Sequence, residues 1–404
     1  MPVWLLVAIL VAALNLRLGI ASPGPVMETI RADTGMSSGL AGVLITIPFA
    51  CMSAFAFAGP SLIRRSSPYG VILLALLLIG GGTLARAVAP TPLLLIVATV
   101  PIGMGISLAG VALPVVVRQH FRDHSGAVTA AYVSSFSIGV AVIASSIDPL
   151  ADAVGGWREA FAISAVPALI AAVVWAVAMR SVARSPAAQA GEPEPRGAAL
   201  AGRSRRLPDR VELTAAASFG LQSMCYAGLV GWIAALYVEA GWSERTAALA
   251  TASLGLFVIP PSLLFARLSQ GRDRRPWLAA TIAVMAVGLI GIGVAPDAAP
   301  VVWLVAVGGG GGAALALQLA LPIDLRASAD GVARLTAWML GLGYLLSAIS
   351  PTAVGILRDV TGGFTAPITG LGLLSLLGIV AAFMLPPPLW SRRAEPPDVL
   401  PPAP

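Results

Sequence analysis

The sequence predicts an all-α membrane protein, with twelve transmembrane helices in two six-helix, pseudo-symmetric halves. Three observations carry that prediction. The chain is 57% hydrophobic and only 11% charged, whereas ordinary soluble domains carry about 25% charged residues. Apolar runs of about 20 residues, each long enough to cross a hydrocarbon core of about 30 Å, recur along all 404 residues. The chain also repeats itself at an offset near 207. This composition excludes a cytosolic enzyme, a DNA-binding protein and a secreted disulfide scaffold. The net charge of +6 comes from a chain whose 25 basic residues are all Arg, mostly in short loops. That placement marks membrane topology; nucleic acid is not expected as a partner, whereas the lipid bilayer is.

Apolar runs between charged and Pro/Gly punctuation place spans at roughly 3–27, 39–63, 70–88, 93–117, 126–150, 158–179, 213–237, 246–266, 277–294, 301–323, 335–357 and 367–385. The first lacks a basic leader and a small-residue cleavage site before Pro23-Gly24-Pro25, so it reads as a span and not a cleaved signal. With the N-terminus inside, 19 Arg fall on the cytoplasmic side, among them Arg64, Arg65, Arg118, Arg267, Arg326 and Arg334, against five outside: Arg31, Arg86, Arg158, Arg245 and Arg358. The positive-inside bias assigns both termini to the cytoplasm, and the expected location is the cytoplasmic (inner) membrane. The expected organisation is an N-terminal half over 1–179, a flexible cytoplasmic linker over 180–212, a C-terminal half over 213–385 and a Pro-rich disordered tail over 386–404.

Ala112-Leu113-Pro114 with Arg118 recurs as Ala320-Leu321-Pro322 with Arg326. Asp152, Gly155 and Gly156 recur as Asp359, Gly362 and Gly363, and Gly35 with Ser37 as Gly241 with Ser243. Six helices per half is an even number, so the halves share one orientation. Parallel repeats of this kind are a transporter architecture with the solute held near the midplane between them. The resemblance is to the major facilitator superfamily. Within it, Asn15-Leu16-Arg17 followed by Gly24-Pro25, Gln222-Ser223 with Tyr226 and Trp232, and Gly341-x-Gly343-Tyr344 leading to Ser350-Pro351, Gly355 and Asp359 are similar to the cyanate/2-nitroimidazole porter family. The likeness runs from about residue 12 to 385. The superfamily's loop between spans 2 and 3 is degenerate here: Gly59 to Gly70 carries Arg64 and Arg65 but no Asp, while Arg267 to Arg275, with Asp273, is a closer version.

The chemistry centres on Arg17, within about 3 Å of the centre of the first span at 1.5 Å per residue. A guanidinium at that depth costs between about 2.5 and more than 10 kcal/mol and normally faces the protein interior or a wet cavity. All 19 carboxylates fall in loops or near helix ends, so no structural ion pair for Arg17 is evident. Backbone carbonyls near Gly19 and Pro23, neutral polar groups, water or an anionic solute remain as partners. The planar fork of Arg donors suits a small planar anion. Offset by 207, Arg17 lands on Met224, and the second half offers Gln222, Ser223 and Tyr226 instead of a charge. At about 100° per residue, Ser223 and Tyr226 share a face with Gln222 adjacent.

Asn15 belongs either to the site or to helix–helix contacts. Trp338 and Tyr344 are candidate cavity walls; Trp232 and Tyr132 read more as packing. Pro25, Arg118, Asp273 and Pro351 are candidate gating residues. The run Gly308–Gly312 reads as close packing and a bend point, Cys51 and Cys225 as neither disulfide nor metal site, and His120 and His124 as solvated loop residues. No cofactor, metal or catalytic constellation is expected, and a monomer suffices. The resemblance implies transport of cyanate-like anions or small nitrogen heterocycles by alternating access. Efflux of amphiphilic drugs is the alternative reading, and a transporter-like receptor a third.

Overall fold

The computed structural model describes residues 3–65, 67–121, 125–183 and 207–389. The basic part of the linker, the end of the tail, His124 and the side chains of Arg64, Arg65 and Arg118 lie outside the described residues. Fifteen helices are present in what is described: α1 Val3–Ala21, α2 Met27–Thr34, α3 Ser38–Arg65, α4 Pro68–Ala87, α5 Pro92–His120, α6 Ser125–Val154, α7 Trp157–Ser164, α8 Val166–Ala183, α9 Arg210–Glu239, α10 Glu244–Phe257, α11 Ile259–Leu268, α12 Arg274–Val294, α13 Pro300–Leu325, α14 Ala329–Thr361 and α15 Thr365–Met384. They form twelve apolar spans, because α7 with α8 and α10 with α11 each make one and α2 is a short extra piece.

Local chemistry sets the ends. Pro68, Pro92 and Pro300 stand at helix starts, where a missing N–H costs nothing. Asp209 and Glu212 form a reciprocal capping box at the start of α9. The repeat is visible in backbone geometry as well as in residue type. Gly35 and Gly241 turn with φ of 68° and 97°, and Gly155 and Gly362 with φ of 100° and 76°, conformations that side-chain-bearing residues rarely adopt. Leu74, Leu77, Val97, Val173, Val287 and Leu377 are exposed around the perimeter. That apolar belt is too extensive for water and suited to acyl chains.

The structure revises three expectations. The first span does not run to residue 27: α1 ends at Ala21, a turn covers 22–26 and α2 follows. Arg86, expected on the outer side at the end of its span, stands in the last turn of α4 and is turned into the protein, with no exposed surface. His120 is half-buried and shares a short hydrogen bond with the Tyr69 hydroxyl, and burial pushes its imidazole below the usual value.

The two halves meet along α3 with α14 and along α6 with α10. Three levels of α3 and α14 hold each other. At the face remote from the chain termini, the Asp359 carboxylate accepts from the Gly39 and Ser38 backbone N–H groups at 2.9 and 3.3 Å, capping α3 from the other half. Arg358 there donates to the Ser38 hydroxyl at 2.7 Å and pairs with Glu28 at 3.4 Å and Glu239 at 3.2 Å. Midway, Thr46 donates to the Ala348 carbonyl at 2.6 Å. Toward the terminal face, Ser53 donates to the Gly341 carbonyl at 2.7 Å and Phe57 packs edge-on against Trp338 at 5.0 Å.

At the terminal face of the second half, Arg334 pairs with Glu212 at 2.7 Å and Asp209 at 3.3 Å, and Arg326 also pairs with Asp209. Burial alone would raise the Asp209 carboxyl. The Glu212 backbone N–H, Arg326 and Arg334 outweigh it and hold the group below the usual carboxylate value.

Two outcomes are expected. Asp209 has a depressed folded-state value, so its stabilising contribution is present above about pH 4 and lost as pH falls through the lower folded value. The difference in unfolding temperature between wild type and Asp209→Asn should therefore be largest near neutrality and vanish in acid. Loss of the cap in Asp359→Ala removes about 1 kcal/mol from the closed contact. Maleimide labelling of a single cysteine at Ser223, in a protein lacking Cys51 and Cys225, should become faster.

Candidate functional site

Arg17 lies one turn before α1 ends, and the regular helix up to that point fixes which way it faces. It looks into a cavity of about 170 Å³ between the halves, far above the ~10–15 Å³ that one water requires. Arg17 lies over the Phe136 ring on α6, 5.7 Å from its centroid. No other lining side chain among the described residues is charged. Among the described residues no carboxylate and no hydrogen-bond acceptor is found against the Arg17 guanidinium. A guanidinium to which the described residues offer only a ring face keeps its hydrogen-bond donors open toward the chamber, because a cation–π contact, returning about 0.5–2 kcal/mol, occupies none of them.

The second half supplies neutral polar groups to the same space. Gln222, Ser223 and Tyr226 all line it, as their helical spacing requires, with Thr251 from α10 and Tyr344 from α14. The Gln222 amide donates to the Gly311 carbonyl at 3.3 Å, which orients its oxygen as the free acceptor; that oxygen is buried and unpartnered, as is the Thr251 hydroxyl. Tyr344 is held between Phe49 and Phe219, with ring centroids 6.3 and 5.2 Å away.

The glycine run of α13 makes room for this arrangement. A methyl group on Gly311 would stand 3.0 Å from the Tyr226 ring, and one on Gly310 2.6 Å from the Thr281 carbonyl. The helix itself continues unbroken through all five glycines.

Arg17, Gln222, Ser223, Tyr226 and Tyr344 thus come together, while other expected residues stand elsewhere. Asn15 is buried outside the cavity wall, its amide donating to the Val11 carbonyl at 2.8 Å in the preceding turn. Two residues along a regular helix put it on a different face from Arg17. Trp338 packs on Phe57, beyond the cavity lining. Trp232 is fully buried, donates to the Pro351 carbonyl at 2.8 Å and packs against Phe364; Tyr132 packs against Phe136.

Pro25 lies in the turn after α1, next to Gly24, which lines the cavity where this turn approaches the Val230 and Gly231 carbonyls. Pro351 sits inside α14 where Gly42 of α3 presses against its carbonyl. Asp273 caps α12 and pairs with Arg275 at 2.7 Å; burial would raise its carboxyl, but the Arg275 side chain and backbone N–H hold it below the usual value. Cys51 and Cys225 are free thiols, and the described residues contain no cluster of metal-ligating side chains. The sequence reading missed Thr251, whose one signal was a hydroxyl in an Ala-rich span. It also missed Phe49, Phe136 and Phe219, which carry no signal in an apolar background.

Residues 7–329 match the Major Facilitator Superfamily. The chain is 27% identical to the cyanate transport protein CynX of Escherichia coli, over 96% of this chain and all of that protein. It is 31% identical to the 2-nitroimidazole transporter of Escherichia coli, over 92% and 93% of the two chains. Against the uncharacterized transporter YycB of Bacillus subtilis the figures are 29%, 90% and 89%. The fold resembles that of a D-xylose–proton symporter, with a TM-score of 0.70 at 17% identity over 94% of this chain and 96% of that one. By its sequence profile, its full-length relatives and its paired six-helix halves, the chain belongs to the major facilitator superfamily and is a multi-pass membrane transporter.

Proposed function

We propose that this transporter carries a small polar or anionic solute, of the size of cyanate or a small nitrogen heterocycle, across the cytoplasmic membrane by alternating access, with Arg17 as its central binding charge. The observation that carries the proposal is a guanidinium facing a chamber between the halves without a protein acceptor among the described residues. An anion or a nitro-like pair of oxygens supplies what that fork lacks, through charge-assisted hydrogen bonds. The free Gln222 oxygen and the Thr251 hydroxyl can receive an N–H from the same solute, and the aromatic walls suit a flat ring. Two relatives named for cyanate and 2-nitroimidazole support this substrate class. The cavity takes its cation from one half and most of its neutral polar groups from the other, with Ser137 added by the first, so a bound solute ties the halves together. Parting of the halves at the Asp359 end, with Pro25 and Pro351 as pivots and Arg118 and Asp273 at the other face, would alternate access. The Arg distribution favours both termini in the cytoplasm, and a monomer contains the whole cavity. Nothing in the lining suggests bond-making chemistry, and transport without catalysis is our reading.

The aromatic rings that gather on the cavity support a second reading, efflux of amphiphilic compounds. Overproduction of the protein should then lower the drug susceptibility of the cells, which the anion reading does not require.

In proteoliposomes, Arg17→Gln should lose uptake and counterflow of the solute the wild type carries, tested with labelled cyanate and 2-nitroimidazole. Loss of a charged hydrogen bond of about 1.5–3 kcal/mol corresponds to roughly ten- to a hundredfold weaker binding. Undiminished transport by correctly inserted Arg17→Gln would remove Arg17 from the site. Gln222→Leu, which deletes the free acceptor while keeping the volume, should weaken 2-nitroimidazole more than cyanate when their binding constants are compared.

A further inference from the structure

Arg86 is the second cation buried in the first half, and transport as described above does not use it. Its side chain has no exposed surface, and among the described residues no carboxylate pairs with it. Its Nε donates to the Thr99 hydroxyl at 3.0 Å, and that hydroxyl donates in turn to the Leu95 carbonyl at 2.9 Å. One terminal nitrogen donates to the Gly19 carbonyl at 3.0 Å, the other is unpartnered, and the guanidinium lies 6.0 Å from the centre of the Phe161 ring.

The Gly19 carbonyl has a specific reason to need that donor. In a continuing helix it would accept from the residue four positions on, and that residue is Pro23, which has no N–H. The proline that ends α1 therefore leaves an open acceptor two residues beyond Arg17, deep in the bundle, where an unmet carbonyl is costly. Two residues correspond to about 200° around the helix, so Gly19 and Arg17 face opposite ways. Gly19 is pressed against α5, where a methyl group would overlap the Ile102 side chain, while Arg17 faces the cavity.

We propose that Arg86 is a positioning residue of the solute site: it takes up the carbonyl that Pro23 leaves open, clamps the last turn of α1 against α4 and α5, and so fixes the height and direction of Arg17 and leaves its donors to the solute. The inference rests on the binding role of Arg17 argued above. Arg86 itself touches no solute.

The test is a double-mutant cycle on the purified full-length protein in detergent, made of wild type, Arg86→Gln, Pro23→Ala and the double variant, with Arg86→Lys and Arg17→Gln alongside. Unfolding temperature is read without solute, and binding is read with cyanate and 2-nitroimidazole as probes. Arg86→Gln should unfold at a lower temperature and bind the probe roughly tenfold or more weakly, the lower range for a lost charged hydrogen bond. Arg86→Lys should recover part of both, since one ammonium reaches the carbonyl but not Thr99 as well. Pro23→Ala restores a backbone N–H to Gly19, so it should at least halve the fall in unfolding temperature that Arg86→Gln causes.

Additive effects of Arg86→Gln and Pro23→Ala would overturn the proposal whether or not either probe binds, as would wild-type probe affinity in Arg86→Gln. If Arg86→Gln alone does not fold, folding of the double variant supports the clamp, and failure of the double variant as well counts against it. Wild-type affinity in Arg17→Gln together with a coupled cycle would sink the Arg17 reading and with it the positioning role, leaving only the clamp on α1. Weak binding in Arg17→Gln with an additive cycle would sink the clamp alone.

Discussion

A guanidinium removed from water must find donors' partners or stay costly, and this fold meets that constraint in two different ways a few residues apart. Arg86 is enclosed by protein and has a carbonyl and a hydroxyl to hold. Arg17 is given a ring face and an open chamber. The proline that ends α1 links the two, because it creates the acceptor that occupies Arg86. With a residue other than proline at position 23, a continuing helix could satisfy the Gly19 carbonyl itself and leave Arg86 only the Thr99 hydroxyl to hold.

The division of labour between halves follows from the repeat. The same six-helix plan, duplicated, presents matching helices to a shared space, and the side chains then diverge. The first half keeps a cation where the second keeps Gln222, Ser223 and Tyr226. Small residues let the helices of each half close on one another around that space: Gly139 lies against the Leu14 carbonyl beside Arg17 in the first half, and Gly311 against the Tyr226 ring in the second. With little hydrophobic drive between helices in lipid, such close approach and the hydrogen bonds across α3 and α14 carry the association.

Much of this was legible in the residues because polar groups in a 20-residue apolar run are conspicuous. Arg17 stood out for its depth, and Gln222, Ser223 and Tyr226 for helical spacing that gives them one face. Asn15 was conspicuous in the same way, yet its place depended on whether α1 stayed regular past it, which the sequence left open. Arg86 was hidden for the opposite reason: at the end of an apolar run, followed by Ala-Val-Ala-Pro, it looked like a charge on the outer side, and only the packing of α1, α4 and α5 makes it interior. The end of α1 at Ala21 was obscured because Gly19, Ser22 and Pro23 sit within a stretch hydrophobic enough to span as one piece. Phe136 gave no signal at all, since its role depends on a cation brought from another helix.

The two related corners of the molecule are built unequally. Ser37 and Ser243 each cap their own helix, α3 and its counterpart α10, but the first two amides of α3 are in addition held by a carboxylate of the opposite half, Asp359. A helix whose first two amides are satisfied by the opposite domain has its opening turn tied to domain contact. Any separation at that corner hands those two amides to water and loosens that turn, leaving Ser37 alone to cap it, as Ser243 alone caps α10 at all times. The fold therefore carries at one corner a built-in strain gauge, the ordering of a single helical turn, that reads whether the domains touch.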